Sequence, residues 1–389
     1  MSQIRPRAAS RMAGIAPFHV MAILAQAQAL EAAGRDIIHL EIGEPDFATP
    51  APIVEAGVAA LRAGHTHYTD ALGLMQLREA IAGFYATRWQ ATVDPAHVVV
   101  TPGASGALLL ALGLLAGPGD EVLMADPGYP CNRHFVRFCD ARAVTVAVDA
   151  ASGFQLTLES IQRHATPATR AVLIASPANP TGTAITPDEL TRIHDWCAAK
   201  GVALIVDEIY LALTYDDSEH SAARWDDVFV VNSFSKYFLM TGWRLGWLAA
   251  PAWAMPALER LAQNLFLAAS TPAQHAALAA FLPATLDELE ARKAELRARR
   301  DFLLPALRER GFVIPTQPQG AFYLYADCSG HTDDSGQFAQ ALLEQVGVAV
   351  TPGLDFGQHQ PQRFLRIAYT QPLPRLVEAI VRIDGFLAR

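Results

Sequence analysis

The segment AVLIASPANPTGTAITPDELTRIHDWCAAKGVALIVDEIY, residues 171–210, decides the fold. An apolar run rich in β-branched residues (AVLIA) stops at a loop of prolines and a glycine, and a stretch with helical spacing follows (PDELTRIHDWCAAK). After Gly201 a second apolar run, VALIV, ends at an aspartate. Strand, helix and strand in that order predict a βαβ unit, two parallel strands joined by a crossover helix. Neither strand alternates polar with apolar residues, as expected when helices cover both faces of the sheet. The same runs recur on either side: HVVVT (97–101) before SGALLLALGLL (105–115), EVLMA (121–125), AVTVAV (143–148), VFVVNS (228–233) and LGWLAA (245–250). An α/β fold with a mostly parallel, doubly covered sheet is therefore expected.

The chain has 389 residues, 51% hydrophobic and 18% charged, enough for two domains with a large core. Its net charge of −9 argues against nucleic acid. The basic run RKAELRARR (292–300) reads as the solvated face of a helix. Cys131, Cys139, Cys197 and Cys328 show no CxxC or CxxH spacing, as expected of reduced thiols in a cytoplasmic protein without a metal. Arg5, Arg7 and Arg11 precede MAGIAPFHVMAILAQAQAL (12–30), which has something of a secretory leader. Pro17 and His19 interrupt it, however, and Val20, Ile23, Leu24 and Ala27 keep helical spacing, so a structural helix is expected. Glycines and Pro102 break the long uncharged region 98–119, leaving no membrane span.

A long charged helix over about 285–310 marks a change of region. Short strand patterns follow at GFVIP (311–315), GAFYLYADCS (320–329), VAVTPG (348–353) and RFLRIAYT (363–370), mixed with helices, as in a smaller α+β domain. The N-terminal 45 residues have no place in the large sheet and are expected to pack with this C-terminal part.

In parallel sheets, ligands bind beyond the carboxyl ends of the strands, so the loops there carry the chemistry. In TPGASG (101–106) glycines open the backbone where a helix is expected to start at Ser105. This is either a phosphate-binding helix N-terminus or a glycine turn with a serine cap. Asp207 ends a buried strand, where a carboxylate calls for a cation or a protonated ring nitrogen, or else caps a helix. In SPANPTG (176–182) two prolines hold the backbone around Asn179, whose amide both donates and accepts. Lys236, in NSFSKYFLMTGWRLGW (232–247), sits among apolar residues with Ser233, Ser235 and Arg244 nearby. Desolvation or a neighbouring cation makes such an amine a nucleophile, and its usual product with an aldehyde is a Schiff base. One ligand answers all four loops, a phosphorylated aldehyde bearing a ring nitrogen, which is pyridoxal phosphate.

SPANPTG, VDEIY and SFSKYFLMTGWRLGW, in this order and spacing, make the chain resemble the class I aminotransferases of the fold type I pyridoxal-phosphate enzymes over nearly its whole length. The resemblance implies a large domain with a seven-stranded sheet (46–284) and a smaller α+β domain built from both termini (1–45 and 285–389). It also implies a homodimer with shared active sites, and ping-pong transfer from an L-amino acid to a 2-oxo acid. Lys236 would bond the cofactor covalently, Asp207 would pair with its ring nitrogen, and Tyr210 and Asn179 would bind its phenolic oxygen. Tyr129, in DPGYP, would stack on the ring. Gly103, Ala104, Ser105, Ser233 and Arg244 would hold the phosphate, joined by Tyr68 of the other subunit. Arg366 would grip the substrate carboxylate with Asn179 and the backbone of Gly43. Ile15, Phe18 and Phe322 would make an apolar lining, and the helix GALLLALGLL carries no cation. A neutral or aromatic donor then fits at least as well as aspartate, with 2-oxoglutarate as acceptor. Carbon-sulfur β-lyases share the same lysine, aspartate and arginine and form the alternative, separable because a lyase needs no acceptor.

Overall fold

A computed structural model describes residues 7–216 and 219–389, so Arg5 and the rest of residues 1–6 lie outside the described residues. In chain order the first half contains α1 (His19–Ala32), β1 (Ile38–His39), α2 (Ala51–Arg62), α3 (Met75–Trp89), β2 (Val98–Thr101), α4 (Gly103–Leu115), β3 (Glu121–Asp126), α5 (Pro130–Phe138), β4 (Arg142–Ala147), α6 (Leu158–His164) and β5 (Thr169–Ala175). Then come α7 (Pro187–Lys200), β6 (Ala203–Asp207), β7 (Phe229–Ser233), β8 (Gly246–Ala249), α8 (Met255–Leu265), α9 (Thr271–Leu278) and α10 (Pro283–Glu309). The chain closes with β9 (Tyr323–Asp327), α11 (Ser335–Val346), β10 (Val348–Ala349), β11 (Thr351–Pro352), β12 (Phe364–Ala368) and α12 (Leu373–Leu387).

Among the described residues the apolar runs form one seven-stranded sheet, ordered β2-β8-β7-β6-β5-β3-β4, in which β8 alone runs antiparallel to its neighbours. Successive residues of a strand point to opposite faces. Val98 and Val100 accordingly join one apolar cluster with Leu204 and Val206, while Val99 and Ile205 join the cluster on the other face. Both layers are dry, which is why the runs do not alternate. The crossover helix α7 begins where Thr186 accepts a hydrogen bond from Glu189 N, with Pro187 next, and ends at Gly201 in the left-handed region (φ 64°).

The C-terminal part adds an antiparallel sheet ordered β11-β12-β9, and β1 pairs in parallel with β10. The segment VAVTPG is thus split: Val348–Ala349 pairs with β1, and Thr351–Pro352 pairs with β12. GFVIP forms no strand, only a bridge between Val313 and Asp327. The helix after TPGASG starts at Gly103, two residues before Ser105, and Gly103 itself takes a positive φ of 72°. Among the described residues no helix is long and apolar enough to cross a membrane.

The run RKAELRARR is corrected by the structure. It is a solvated face only in part: Arg292 and Arg297 keep 42% and 57% of their side chains exposed, but Arg299 is 1% exposed and Arg300 5% exposed. Arg299 pairs with both oxygens of Asp46 (2.7 and 3.1 Å) and with Glu295 (2.6 Å), and the guanidinium carbons of Arg292 and Arg299 lie 4.9 and 4.8 Å from the centroid of the Phe47 ring. Arg300 donates to Pro318 O at 2.7 Å. The planar guanidinium can be buried where a fork of acceptors meets it, and the loop 43–47 supplies one. Replacing Arg299 by methionine should lower the unfolding free energy by about 2–3 kcal/mol, because Asp46 keeps its charge without its partner. Urea unfolding measures this, and a midpoint equal to wild type would contradict it.

Candidate active site

The carboxyl ends of the central strands open into a cavity of about 260 Å³. It is lined from the large sheet by Ala104, Ser105, Tyr129, Asn179, Asp207, Tyr210, Ser233, Ser235, Lys236 and Arg244, and from the C-terminal sheet by Tyr323 and Arg366.

Asp207, the last residue of β6, is 5% exposed. Its Oδ1 accepts a hydrogen bond from Ile209 N at 3.1 Å, and no cation is paired with it among the described residues. Burial raises its pKa from 3.8 to about 6, against the pull of that backbone bond. Lys236 lies three residues beyond β7, and its Nζ donates to Gly43 O at 2.6 Å. Burial lowers its pKa from 10.5 to about 8; Glu44 opposes the shift, and Arg366 and Arg244 add to it.

Arg366 stands in the middle of the small sheet, opposite Thr351 and Tyr325, and is 3% exposed. Its guanidinium donates to Asn179 Oδ1 at 3.1 Å and to Glu41 O, while Nε has no partner among the described residues. The Tyr210 hydroxyl lies 2.8 Å from the Tyr323 hydroxyl, and burial raises the pKa of Tyr210 well above its usual value.

The opposite end of the cavity is built by close backbone approach. A β-carbon on Gly103 would stand 2.6 Å from Arg244 Nη2, and one on Gly246 would stand 2.8 Å from Ala104 N. Pro102 offers no side-chain cap to α4, so the first N–H groups of the helix have no partner of that kind, and Ala104 and Ser105 of this first turn line the cavity with Ser233, Ser235 and Arg244. Unpaired N–H groups, hydroxyls and one guanidinium make an anion site.

Most residues singled out in the sequence thus meet in one place. Tyr68 does not: it is 82% exposed and lies away from this chain's own cavity. Ile15 and Phe322 do not line the cavity either. Phe322 is fully buried, with Tyr210 packed edge-on at 5.4 Å, and the apolar wall is instead Phe18 with Val20, Met21 and Leu24 of α1, and Ile42, Leu108 and Ile209. Two residues escaped the sequence reading. Tyr323 hides in the aromatic strand GAFYLY, and Asp355 follows a short strand. The Asp355 carboxylate accepts from His19 N and Val20 N, both at 2.7 Å, and so seats α1 as the cavity wall.

This arrangement has counterparts. The profile of aminotransferases class I and II matches residues 35–383. The chain belongs to that family. A valine–pyruvate aminotransferase of Mycobacterium tuberculosis is 39% identical over 96% of this chain and 97% of its own length. A (5-formylfuran-3-yl)methyl phosphate transaminase of Methanocaldococcus jannaschii is 37% identical over 97% of this chain and 98% of its own. Among solved structures, an aminotransferase from Mycobacterium tuberculosis superposes with a TM-score of 0.94 at 40% identity, covering 99% of this chain and 100% of that one. The Thermus thermophilus aspartate aminotransferase with maleate gives 0.92 at 32% identity, covering 97% and 99%.

The enzyme is a transaminase that uses pyridoxal 5′-phosphate on the fold type I α/β scaffold. Its residues fit that cofactor: an anion site at the start of α4, a buried carboxylate without a cation, and an amine of lowered proton affinity share one cavity. Because only the neutral amine attacks an aldehyde, capture of pyridoxal phosphate by the apoenzyme should quicken about tenfold per pH unit below 8 and level off above it. Stopped-flow absorbance measures this; a rate still climbing tenfold per unit up to pH 10 would contradict the lowered pKa of Lys236.

Proposed function

We propose that this transaminase moves amino groups from L-amino acids with neutral, apolar or aromatic side chains to a monocarboxylic 2-oxo acid of the pyruvate type. The observation that carries this reading is the cavity lining. Its cations, among the described residues, are Lys236, Arg244 and Arg366, and each has a task of its own. A second substrate carboxylate, as in aspartate or in the 2-oxoglutarate expected from the sequence, would face Phe18, Val20, Met21 and Leu24 on this chain's side of the site, with no cation of this chain beside it. The pyruvate specificity in the name of the mycobacterial relative supports the same acceptor class.

When bound, pyridoxal phosphate supplies an aldehyde for the substrate amine and a ring that accepts the electron pair left behind by the α-proton. Arg366 takes the substrate carboxylate in a two-pronged pair, with Asn179 and the backbone of Gly43 beside it, and so fixes where the α-hydrogen points. Lys236 is both the covalent anchor and the proton carrier: with its lowered proton affinity, Nζ would take up the α-proton and pass it on to the cofactor carbon that came from the aldehyde. Asp207 holds a proton on the ring nitrogen, and the pair compensates its buried charge. Tyr210 and Asn179 donate to the ring oxygen, and Tyr129 covers the ring face. Ala104, Ser105, Ser233 and Arg244, which line the cavity, would bind the phosphate together with Gly103 beside them. The α1 wall keeps water from the side-chain end of the site.

Residues 46–284 form the cofactor-binding unit in this reading, and 1–45 with 285–389 form the smaller one. The active form is a homodimer in the cytoplasm, in which the exposed Tyr68 reaches the phosphate site of the other subunit.

A panel of donors and acceptors tests the specificity. Valine or phenylalanine with pyruvate should exceed aspartate with 2-oxoglutarate in kcat/KM by at least about tenfold, the scale of an uncompensated buried charge in an apolar pocket. Aspartate with 2-oxoglutarate as the best pair would overturn the reading. Lys236→Ala should lower kcat by roughly 10²–10⁴-fold, as expected for loss of the proton-transferring group; wild-type turnover by that variant would refute its role.

A further inference from the structure

Tyr323, the first residue of β9, fills the seam between three parts of the site. Its hydroxyl lies 2.8 Å from that of Tyr210, its one hydrogen-bond partner among the described residues. The Arg366 guanidinium carbon lies 4.5 Å from the centroid of its ring, with the Phe356 centroid 4.9 Å from the same carbon. A β-carbon on Gly43 would stand 2.2 Å from the Tyr323 hydroxyl oxygen and 3.2 Å from Cζ. Tyr323 is 1% exposed, so water does not compete for these contacts.

A phenol has one proton to give. On the reading above, Tyr210 spends its proton on the ring oxygen of the cofactor, so the proton between the two phenols must belong to Tyr323. We propose that Tyr323 is a positioning residue for both ends of the reaction: its hydroxyl donates to Tyr210 Oη, aiming the Tyr210 proton at the cofactor oxygen, and its ring sets the plane of the Arg366 guanidinium that receives the substrate carboxylate. A hydroxyl that accepts one hydrogen bond donates the next more strongly. A guanidinium lying over an aromatic face keeps its edge free for bidentate pairing. Gly43 must then lack a side chain, because the Tyr323 hydroxyl occupies the space of a β-carbon. The charged and titratable groups that share the cavity with the phenol pair are Arg366, Lys236, Arg244, Asp207 and Tyr129.

The inference rests on the proposed role of Tyr210, and the holoenzyme separates the two. The pH midpoint of the visible absorbance of the bound cofactor reports how well negative charge on the ring oxygen is stabilised. Tyr323→Phe should move that midpoint to higher pH by about half a unit, the scale of one weakened hydrogen bond, and should leave the Kd of 3-phenylpropanoate within twofold. Tyr323→Leu, which also removes the ring, should weaken 3-phenylpropanoate binding about fivefold or more. Tyr210→Phe should shift the midpoint at least as far, and Tyr323→Phe added to it should shift it no further. A shift in Tyr210→Phe with none in Tyr323→Phe would overturn the inference and spare the role of Tyr210; no shift in either would overturn both.

Steric coupling gives a readout independent of the spectrum. Gly43→Ala alone should weaken 3-phenylpropanoate binding, and Tyr323→Phe in the same chain should restore part of it by removing the atom at 2.2 Å. Equal losses with and without the hydroxyl would contradict the contact.

Discussion

A carboxylate buried without a cation organises this enzyme. Asp207 closes the central strand β6 of the large sheet, 5% exposed, with a single backbone N–H for company. Its pKa displacement from 3.8 to about 6 corresponds to about 3 kcal/mol of lost charge stabilisation. A chain retains such a cost where something else supplies the opposite charge. On the proposed function the ring nitrogen of pyridoxal phosphate would meet that need, and the other groups proposed to hold the cofactor line the same cavity. The flanking strands β5 and β7 carry Asn179 and Lys236 on the loops that follow them, and the N-terminus of α4 closes the end proposed for the phosphate.

The substrate side is assembled from a different part of the chain. Arg366 is held in the central strand of the small sheet, and its guanidinium reaches across to Asn179 on the large one. Asp355, which follows β11, fixes the start of α1. Arg366 and the apolar wall therefore share one support, the β11-β12 pair, and on the proposed function the two ends of a substrate would be measured against the same frame. Arg299 does comparable work for the loop 43–47, whose Gly43 carbonyl accepts from Lys236.

The large sheet was legible because strands buried on both faces leave unbroken apolar runs, and the strand-end loops were legible because each pairs a strong turn former with a reactive side chain. The antiparallel sense of β8 left no mark on LGWLAA, since direction is set by the connection and not by composition. Burial of Arg299 could not be read from RKAELRARR, because its partners Asp46 and Phe47 lie some 250 residues away. Tyr323 was hidden among strand aromatics of the same type, and the role proposed for it depends on which hydroxyl it meets. Ile15 and Phe322 were apolar residues of the right kind that the lining does not include, Phe322 packing behind it with its ring centroid 5.9 Å from Lys236 Nζ. Pattern thus revealed what each element needs locally, and long-range pairing decided the remainder.

The pairing of Asp207 with a ring nitrogen can be measured without turnover. Apoenzyme titrated with pyridoxal phosphate and with its 1-deaza analogue, in which a C–H replaces the ring nitrogen, compares the two affinities directly. The wild type should prefer the nitrogen-bearing cofactor by roughly tenfold or more, the worth of a charge-assisted hydrogen bond in a buried site, and Asp207→Asn should lose most of that preference. Equal affinity of the wild type for both compounds would contradict the account.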